Sequence, residues 1–409
     1  MAGPQPIGDP APADGLLGEQ AAVDAFDRTL HAYVHIPFCT VRCGYCDFNT
    51  YTASELDGVK QSDYAQVLNR EIEFAAGVLA DSNIATRKLS TVFFGGGTPT
   101  QLPAADLVSI LQKLSGTFQI STGAEVTTEA NPDSIDQAYL DALAAGGFNR
   151  ISIGMQSAVP EVLATLERSH DPNRVLAAIK AAKSAGLKTS VDLIYGAPNE
   201  SLQQWRTSVE AALQMEPDHI SAYALIVEPG TKLARQIAKG ELPELDEDLQ
   251  ADKYELAEQL FSAAGFNWYE VSNWAKPGQA SKHNIAYWQS QDWWGFGPGA
   301  HSHVGGTRWW NVKHPSAYSA KVNASVSPAA GRETLDDQTR LTERILLELR
   351  IADGLSIELA KKLNPEASKL IAGFIADGMI EPREALQGQL KLTLKGRLLA
   401  DALVRALVG

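Results

Sequence analysis

The 409-residue chain is poor in sulfur, with three cysteines and four methionines. So few thiols exclude a disulfide framework, and a chain of this length can bury a large core without one. No apolar run approaches the length needed to span a bilayer. Basic excess is also missing: 35 Lys and Arg face 49 Asp and Glu, for a net charge of −14. That balance argues against a general nucleic-acid or anionic-membrane surface. The opening residues, MAGPQPIGDPAPADGLLGEQ, carry neither a basic n-region nor an apolar h-region, so no secretory signal is expected. Their Pro, Ala, Gly and Asp content predicts a disordered tail over 1–27. Free thiols without a targeting signal suit a reducing cytoplasm.

All three cysteines, Cys39, Cys43 and Cys46, fall within YVHIPFCTVRCGYCDF (33–48), directly after an apolar, strand-like run. Their spacing is C-x-x-x-C-x-x-C. Zinc usually takes four protein ligands in two close pairs, and no second pair sits nearby. A catalytic thiol needs one cysteine and gives no reason for three. Three thiolates on one loop suit a cubane iron–sulfur cluster, with one iron left open to another ligand.

From residue 31 the sequence alternates between two patterns. Short β-rich runs lie at 32–37, 90–95, 125–130, 150–155, 188–196 and 219–226. Segments of helical period lie between and after them, at 61–80, 103–116, 135–146, 159–167, 172–185 and 201–214. Asp133, Asp171 and Asn199 offer helix starts, and Gly146 and Gly186 offer stops. Six strand–helix units in a row predict a parallel sheet of the α/β class, a partial (β/α)6 TIM-like barrel over 28–240. The cysteine loop, Gly95-Gly96-Gly97-Thr98-Pro99, Glu129-Ala130-Asn131-Pro132 and Gln156-Ser157 follow or close successive strands, and Asp192 lies in the fifth. The active site of such a barrel is at the C-terminal rim of its strands, so these features are expected to converge there.

After residue 230 the alternation stops. An aromatic, His-rich extension is expected over 241–335, holding HNIAYW (283–288) and WWGFGPGAHSH (293–303), with 319–335 as a linker. It reads as an aromatic core or as a pocket for a flat ligand. His283, His301 and His303 are candidate axial ligands to a haem iron. Helices and a small hairpin over 336–409 resemble a winged-helix module without a basic footprint.

CTVRCGYC, with YVHIPFC, FFGGGTPT, EANP, GMQS, VDLIYGAP and GPGAHS, resembles the radical S-adenosylmethionine (SAM) superfamily. Within it, the chain resembles the HemN/HemW subgroup of oxygen-independent coproporphyrinogen III oxidases and haem chaperones. The resemblance implies a [4Fe-4S] cluster on the three cysteines, with SAM chelating the open iron. It assigns SAM contacts to Tyr33, Tyr45, Gly96, Gly97, Thr98, Glu129, Gln156, Arg168 and Asp192. An arginine suits the SAM carboxylate, and acidic groups suit its ammonium and ribose. The oxidases carry a further cysteine where this chain has Phe48. HNIAYW matches the HNxxYW haem-binding motif of the chaperones, implicating His283, Asn284, Tyr287 and Trp288. The resemblance therefore implies a haem chaperone that delivers haem to acceptor haem proteins of the respiratory chain. Membrane contact is expected only through a partner, a homodimer is expected, and nucleic acid is not. SAM binding and cleavage are expected; coproporphyrinogen oxidation is the alternative.

Overall fold

The computed structural model describes residues 6–52, 56, 58–168 and 171–409. The six β-rich runs form strands Leu30–Ile36 (β1), Leu89–Gly96 (β2), Ile120–Ala130 (β3), Arg150–Gln156 (β4), Lys188–Tyr195 (β5) and His219–Ala224 (β6). They pair in chain order, every pair parallel. Helices return the chain each time, and apolar strand faces pack against them. In β1 every residue but Tyr33 is buried, the pattern of a strand covered on both faces.

The extension continues this sheet instead of forming a separate layer. Asn267–Glu270 (β7) and Asn273–Ala275 (β8) are added beside β6; Asp292–Phe296 (β9), His301–Val304 (β10), Thr307–Asn311 (β11) and Ala329–Thr334 (β12) are added beside β1. The expected linker at 319–335 is instead the end of helix Pro315–Asn323 followed by β12, paired along β11. Alternating small and polar residues in AAGRET suit a sheet edge, which is why the segment read as a linker.

Helix Lys282–Trp288 lies between β8 and β9 in the chain. Ala275, ending β8, pairs with His219 at the start of β6, and Asp292, starting β9, pairs with Leu30 at the start of β1. The helix therefore crosses beneath the N-terminal ends of the barrel strands. Its first turn is tied to the buried Glu125 of β3, which accepts from Ser281 Oγ (3.2 Å), Lys282 N (3.2 Å) and His283 N (3.1 Å). Arg150 pairs with the same carboxylate at 3.4 Å. A carboxylate against unpaired N–H groups at a helix start is favourable both as a cap and electrostatically.

The expected disorder over 1–27 is not found in residues 6–27; residues 1–5 lie outside the described residues. Leu17, Ala21 and Ala25 are buried in the main core, and Asp9 bridges to Arg332 on β12. Small residues allow this flat packing: a Cβ at Gly8 would stand 2.5 Å from the Trp310 ring. Arg28 then reaches Asp292 at 3.0 Å, and Arg87 reaches the other carboxylate oxygen at 2.7 Å. The C-terminal helices, with Leu355–Ser356 paired to Gln389–Leu390, surround their own core around Ile345, Leu355, Ile380 and Leu403. Arg397 docks this unit on the barrel through Glu258 (2.7 Å) and over the Trp268 ring.

Asp292 is fully buried between two guanidinium groups, so its removal leaves both uncompensated. Asp292→Ala is expected to cost about 3–5 kcal/mol in urea unfolding. A loss below about 1 kcal/mol would mean that the pairs are only surface-like in strength.

Candidate functional site

The strands deliver their C-terminal ends to one rim, and the cysteine loop is pinned across it. Cys39 N donates to Tyr51 O (3.1 Å), Tyr51 N to Pro37 O (2.7 Å), and Asn49 Nδ2 to the carbonyls of Pro298 and Lys313 (both 2.9 Å). Cys39, Cys43 and Cys46 are free, half-buried thiols facing a cavity of about 770 Å³. The glycines after β2 are needed for this approach. Gly97 N and Thr98 N donate to the carbonyls of Ile36 and Phe38 (both 2.8 Å). A Cβ on Gly97 would meet Phe38 O at 2.7 Å and Cys39 Sγ at 3.1 Å. Gly96 has φ +113°, and a Cβ there would stand 2.5 Å from the His35 ring. Only bare backbone fits between the strand end and the cysteine loop.

Tyr33, Tyr45, Gly96, Gly97, Thr98, Glu129, Gln156, Arg168 and Asp192 all line this one cavity. Glu129 accepts from Gly96 N (3.1 Å), and Asp192 accepts from Ser152 Oγ at 2.9 and 2.8 Å. Burial, and then the neighbouring Asp192, push the Glu129 carboxyl up to about 8. Burial also raises Asp192. Arg168 donates to Gly154 O (3.2 Å) and Cys43 Sγ (3.6 Å), while its buried Nε has no partner among the described residues. Gln156 closes β4 at φ +64°, a strained conformation for a side-chain-bearing residue and one that recurs at binding sites. The cavity thus offers acidic groups to a cation and an arginine to a carboxylate.

At the other end, His283, Asn284 and Tyr287 form part of the cavity lining, while Trp288 does not. His283 is buried, with Nδ1 on Thr91 Oγ1 (2.6 Å), Nε2 on the Tyr287 hydroxyl (2.9 Å) and Phe93 stacked on its ring. His303 bonds Gln291 O through Nδ1 and accepts from Gly306 N at Nε2. Both ring nitrogens of His283 and of His303 are thus hydrogen-bonded in this structure. His301 is exposed beside Trp310. Sequence reasoning missed the inner wall formed by Arg150, Ser152, Ser190, His219 and Ser221, and the mouth residues Val41, Tyr223 and Ile226. The period-2 alternation of HISAYALI, which puts His219, Ser221 and Tyr223 on one strand face, was the available signal.

Residues 33–212 match the model of the Radical SAM superfamily. The haem chaperone HemW of Mycobacterium tuberculosis is 45% identical over 378 residues, covering 92% of this chain and 94% of the relative. That of Bacillus subtilis is 32% identical over 385 residues, covering 92% and 99%. The chain belongs to the HemW family of radical SAM proteins. Among solved structures, the radical SAM enzyme coproporphyrinogen III oxidase HemN of Escherichia coli superposes with a TM-score of 0.80 at 25% identity, covering 95% of this chain and 92% of that one.

A radical SAM protein holds a [4Fe-4S] cluster and SAM, and the residues present fit both. Among the described residues no group of three or more His, Cys, Asp or Glu is set to hold a single metal ion. A cubane instead spreads its thiolates over separate irons, which suits three thiols distributed along one loop. Burial pushes the Cys39 thiol up and Cys46 up to about 11, so metal loading displaces protons from both. SAM would sit between Arg168 and the Glu129–Asp192 pair.

SAM arrives with a positive sulfonium and ammonium, which favour ionised Glu129. Because the free carboxyl titrates near 8, binding at pH 7 is expected to release a proton, and affinity to rise with pH up to about 8. Calorimetry of SAM binding to cluster-free protein, where no iron takes the amino group, in two buffers of different ionisation enthalpy checks this. The apparent enthalpy should differ between buffers for the parent and agree between them for Glu129→Gln.

Proposed function

We propose that this protein is a haem chaperone and that haem lies across the mouth of the cavity, between the cysteine loop and the strand ends. The observation that carries the reading is the mouth itself. Val41 and Phe48 on the cysteine loop, with Tyr223 and Ile226 at and beyond the end of β6, are 61%, 59%, 45% and 65% exposed around one opening. Large apolar side chains left in water around a concave site mark a surface that a ligand or partner covers. A porphyrin has two broad apolar faces, and the collar is suited to one of them. The polar inner wall is left to SAM, and the HNIAYW residues His283, Asn284 and Tyr287 contribute to the floor below. The relatives named as haem chaperones support the same reading. Phe48 supports it further, since the oxidases carry a cysteine at that position.

The cluster, when bound, supplies the single electron that radical SAM proteins pass to the SAM sulfonium. The chain's own residues bind and orient: Arg168 holds a carboxylate, Glu129 and Asp192 hold cationic and hydroxyl groups, and the collar excludes water. We assign the protein to the cytoplasm and its haem to acceptor proteins of the respiratory chain. No described helix is long and apolar enough to cross a membrane, so contact with a membrane-bound acceptor is assigned to protein surfaces, with a homodimer as the working assembly. Coproporphyrinogen oxidation remains the second reading because of the likeness to HemN.

Ferric haem titrated into cluster-loaded protein is expected to give a Soret band at one haem per chain. Phe48→Asp and Ile226→Asp should each weaken binding by about tenfold or more, the scale of one buried apolar side chain. Parent-like affinity in both variants would remove haem from the mouth. Steady formation of protoporphyrinogen IX from coproporphyrinogen III, SAM and a reductant would replace the chaperone reading with the oxidase one.

A further inference from the structure

The floor of the cavity holds a chain of hydrogen bonds that runs out of the barrel on the side opposite the mouth. The Tyr287 hydroxyl meets His283 Nε2 at 2.9 Å. His283 Nδ1 meets Thr91 Oγ1 at 2.6 Å, and the same oxygen meets His31 Nδ1 at 2.8 Å. His31 Nε2 meets Thr29 Oγ1 at 2.7 Å. Thr29 is exposed, just before β1, and donates to the Gln291 side-chain oxygen at 3.0 Å. One end of the chain lines the cavity and the other stands in solvent.

The last bond sets the direction of all the others. An amide oxygen only accepts, so the Thr29 proton points at Gln291 and Thr29 must accept from His31 Nε2–H. His31 Nδ1 is then bare and accepts from Thr91. Thr91 has used its one proton and accepts from His283 Nδ1–H. His283 Nε2 is then bare and accepts the Tyr287 proton. Every donor has one acceptor, and every proton points outward. Buried polar groups satisfy one another in many proteins. A uniformly oriented row joining the chamber floor to solvent does more than satisfy its members.

We propose that Tyr287, His283, Thr91, His31 and Thr29 form a proton wire that exchanges one proton between the chamber floor and solvent. In the outward step Tyr287 gives its proton to His283 Nε2 and becomes a phenolate. His283 passes the proton on Nδ1 to Thr91, Thr91 passes its own to His31 Nδ1, His31 passes that on Nε2 to Thr29, and the exposed Thr29 hydroxyl turns from Gln291 to solvent and releases its own to water. Both imidazoles finish neutral in the opposite tautomer, and one proton has left the chamber. Burial keeps both rings neutral beforehand, His31 lowered to about 4 and His283 lowered strongly, so each can accept on one nitrogen and donate from the other. Other charged groups face the wire at both ends: Glu129 opposite Tyr287, and Asp292 and Arg87 beside His31. Burial and the facing Glu129 hold the Tyr287 phenol above its usual range, so the phenolate is short-lived: it is reprotonated from Glu129 when a cation enters and a filled mouth blocks the direct way out. The floor route stays open.

The test does not need the haem reading. In cluster-loaded protein, Tyr287 is replaced by difluorotyrosine, a more acidic phenol, and its ionisation after an upward pH jump is followed by stopped-flow absorbance. Thr91→Val, which keeps the shape and removes the hydroxyl, is expected to slow ionisation by about tenfold or more, and Thr91→Ser to restore it. His31→Phe should match the valine variant, at unchanged iron content and melting temperature. Parent-like rates in Thr91→Val, or an equally slow serine variant, overturn the wire. A wild type that shows no Soret band with haem removes the chaperone reading alone, and the wire still stands or falls on these rates.

Discussion

One buried carboxylate decides what kind of vessel this barrel is. Glu125 accepts two backbone N–H groups and the Ser281 hydroxyl at the start of helix Lys282–Trp288, and is balanced by Arg150. An open run of six parallel strands has two ends. This contact closes one of them, and the cysteine loop partly spans the other. A cavity that would have been a channel becomes a chamber with a floor. His283 is then fixed on Thr91, and Tyr287 on His283, which creates the row of protons leading outward.

Large apolar side chains stand at the mouth beside charged ones such as Arg42, Asp47 and Glu228, and the inner wall is polar. The mouth side chains stay in water at some cost until something flat and apolar covers them. The inner wall holds acids whose charge is suppressed by burial, Glu129 above all, and these favour a cation once it arrives. Gly97 lets the strand end and the cysteine loop approach without a side chain between them, and the three cysteines and the expected SAM contacts line one cavity.

Much of this was legible in the sequence because it is local. The strand runs were expected at 90–95 and 150–155 and are found at Leu89–Gly96 and Arg150–Gln156. Asp171 caps its helix, and Gly146 ends another. Two caps were displaced. Asp136 and Ser201 do the work expected of Asp133 and Asn199, because Asp133 lies in a 3-10 turn and Asn199 adopts φ +65°. The rim followed from strand ends alone, and all nine expected SAM residues line one cavity. What could not be read depends on distant pairing. Thr91 and His283 lie 192 residues apart, and nothing in either neighbourhood announces the other. The N-terminal tail read as disordered because Ala, Gly and Pro bury little each. It is held instead by close fit on Trp310 and by the Arg28–Asp292 pair.

The central claim is a single chamber that SAM enters at the wall and haem covers at the mouth. Its most direct test is the binding linkage between the two. SAM affinity of cluster-loaded protein is measured with and without saturating haem, and haem affinity with and without saturating SAM. Ligands in contact within one chamber are expected to change each other's affinity, and linkage makes the factor the same in both directions. A shared factor of about fivefold or more, of either sign, is the predicted result. Affinities that are identical with and without the other ligand would contradict the account and place haem elsewhere on the molecule.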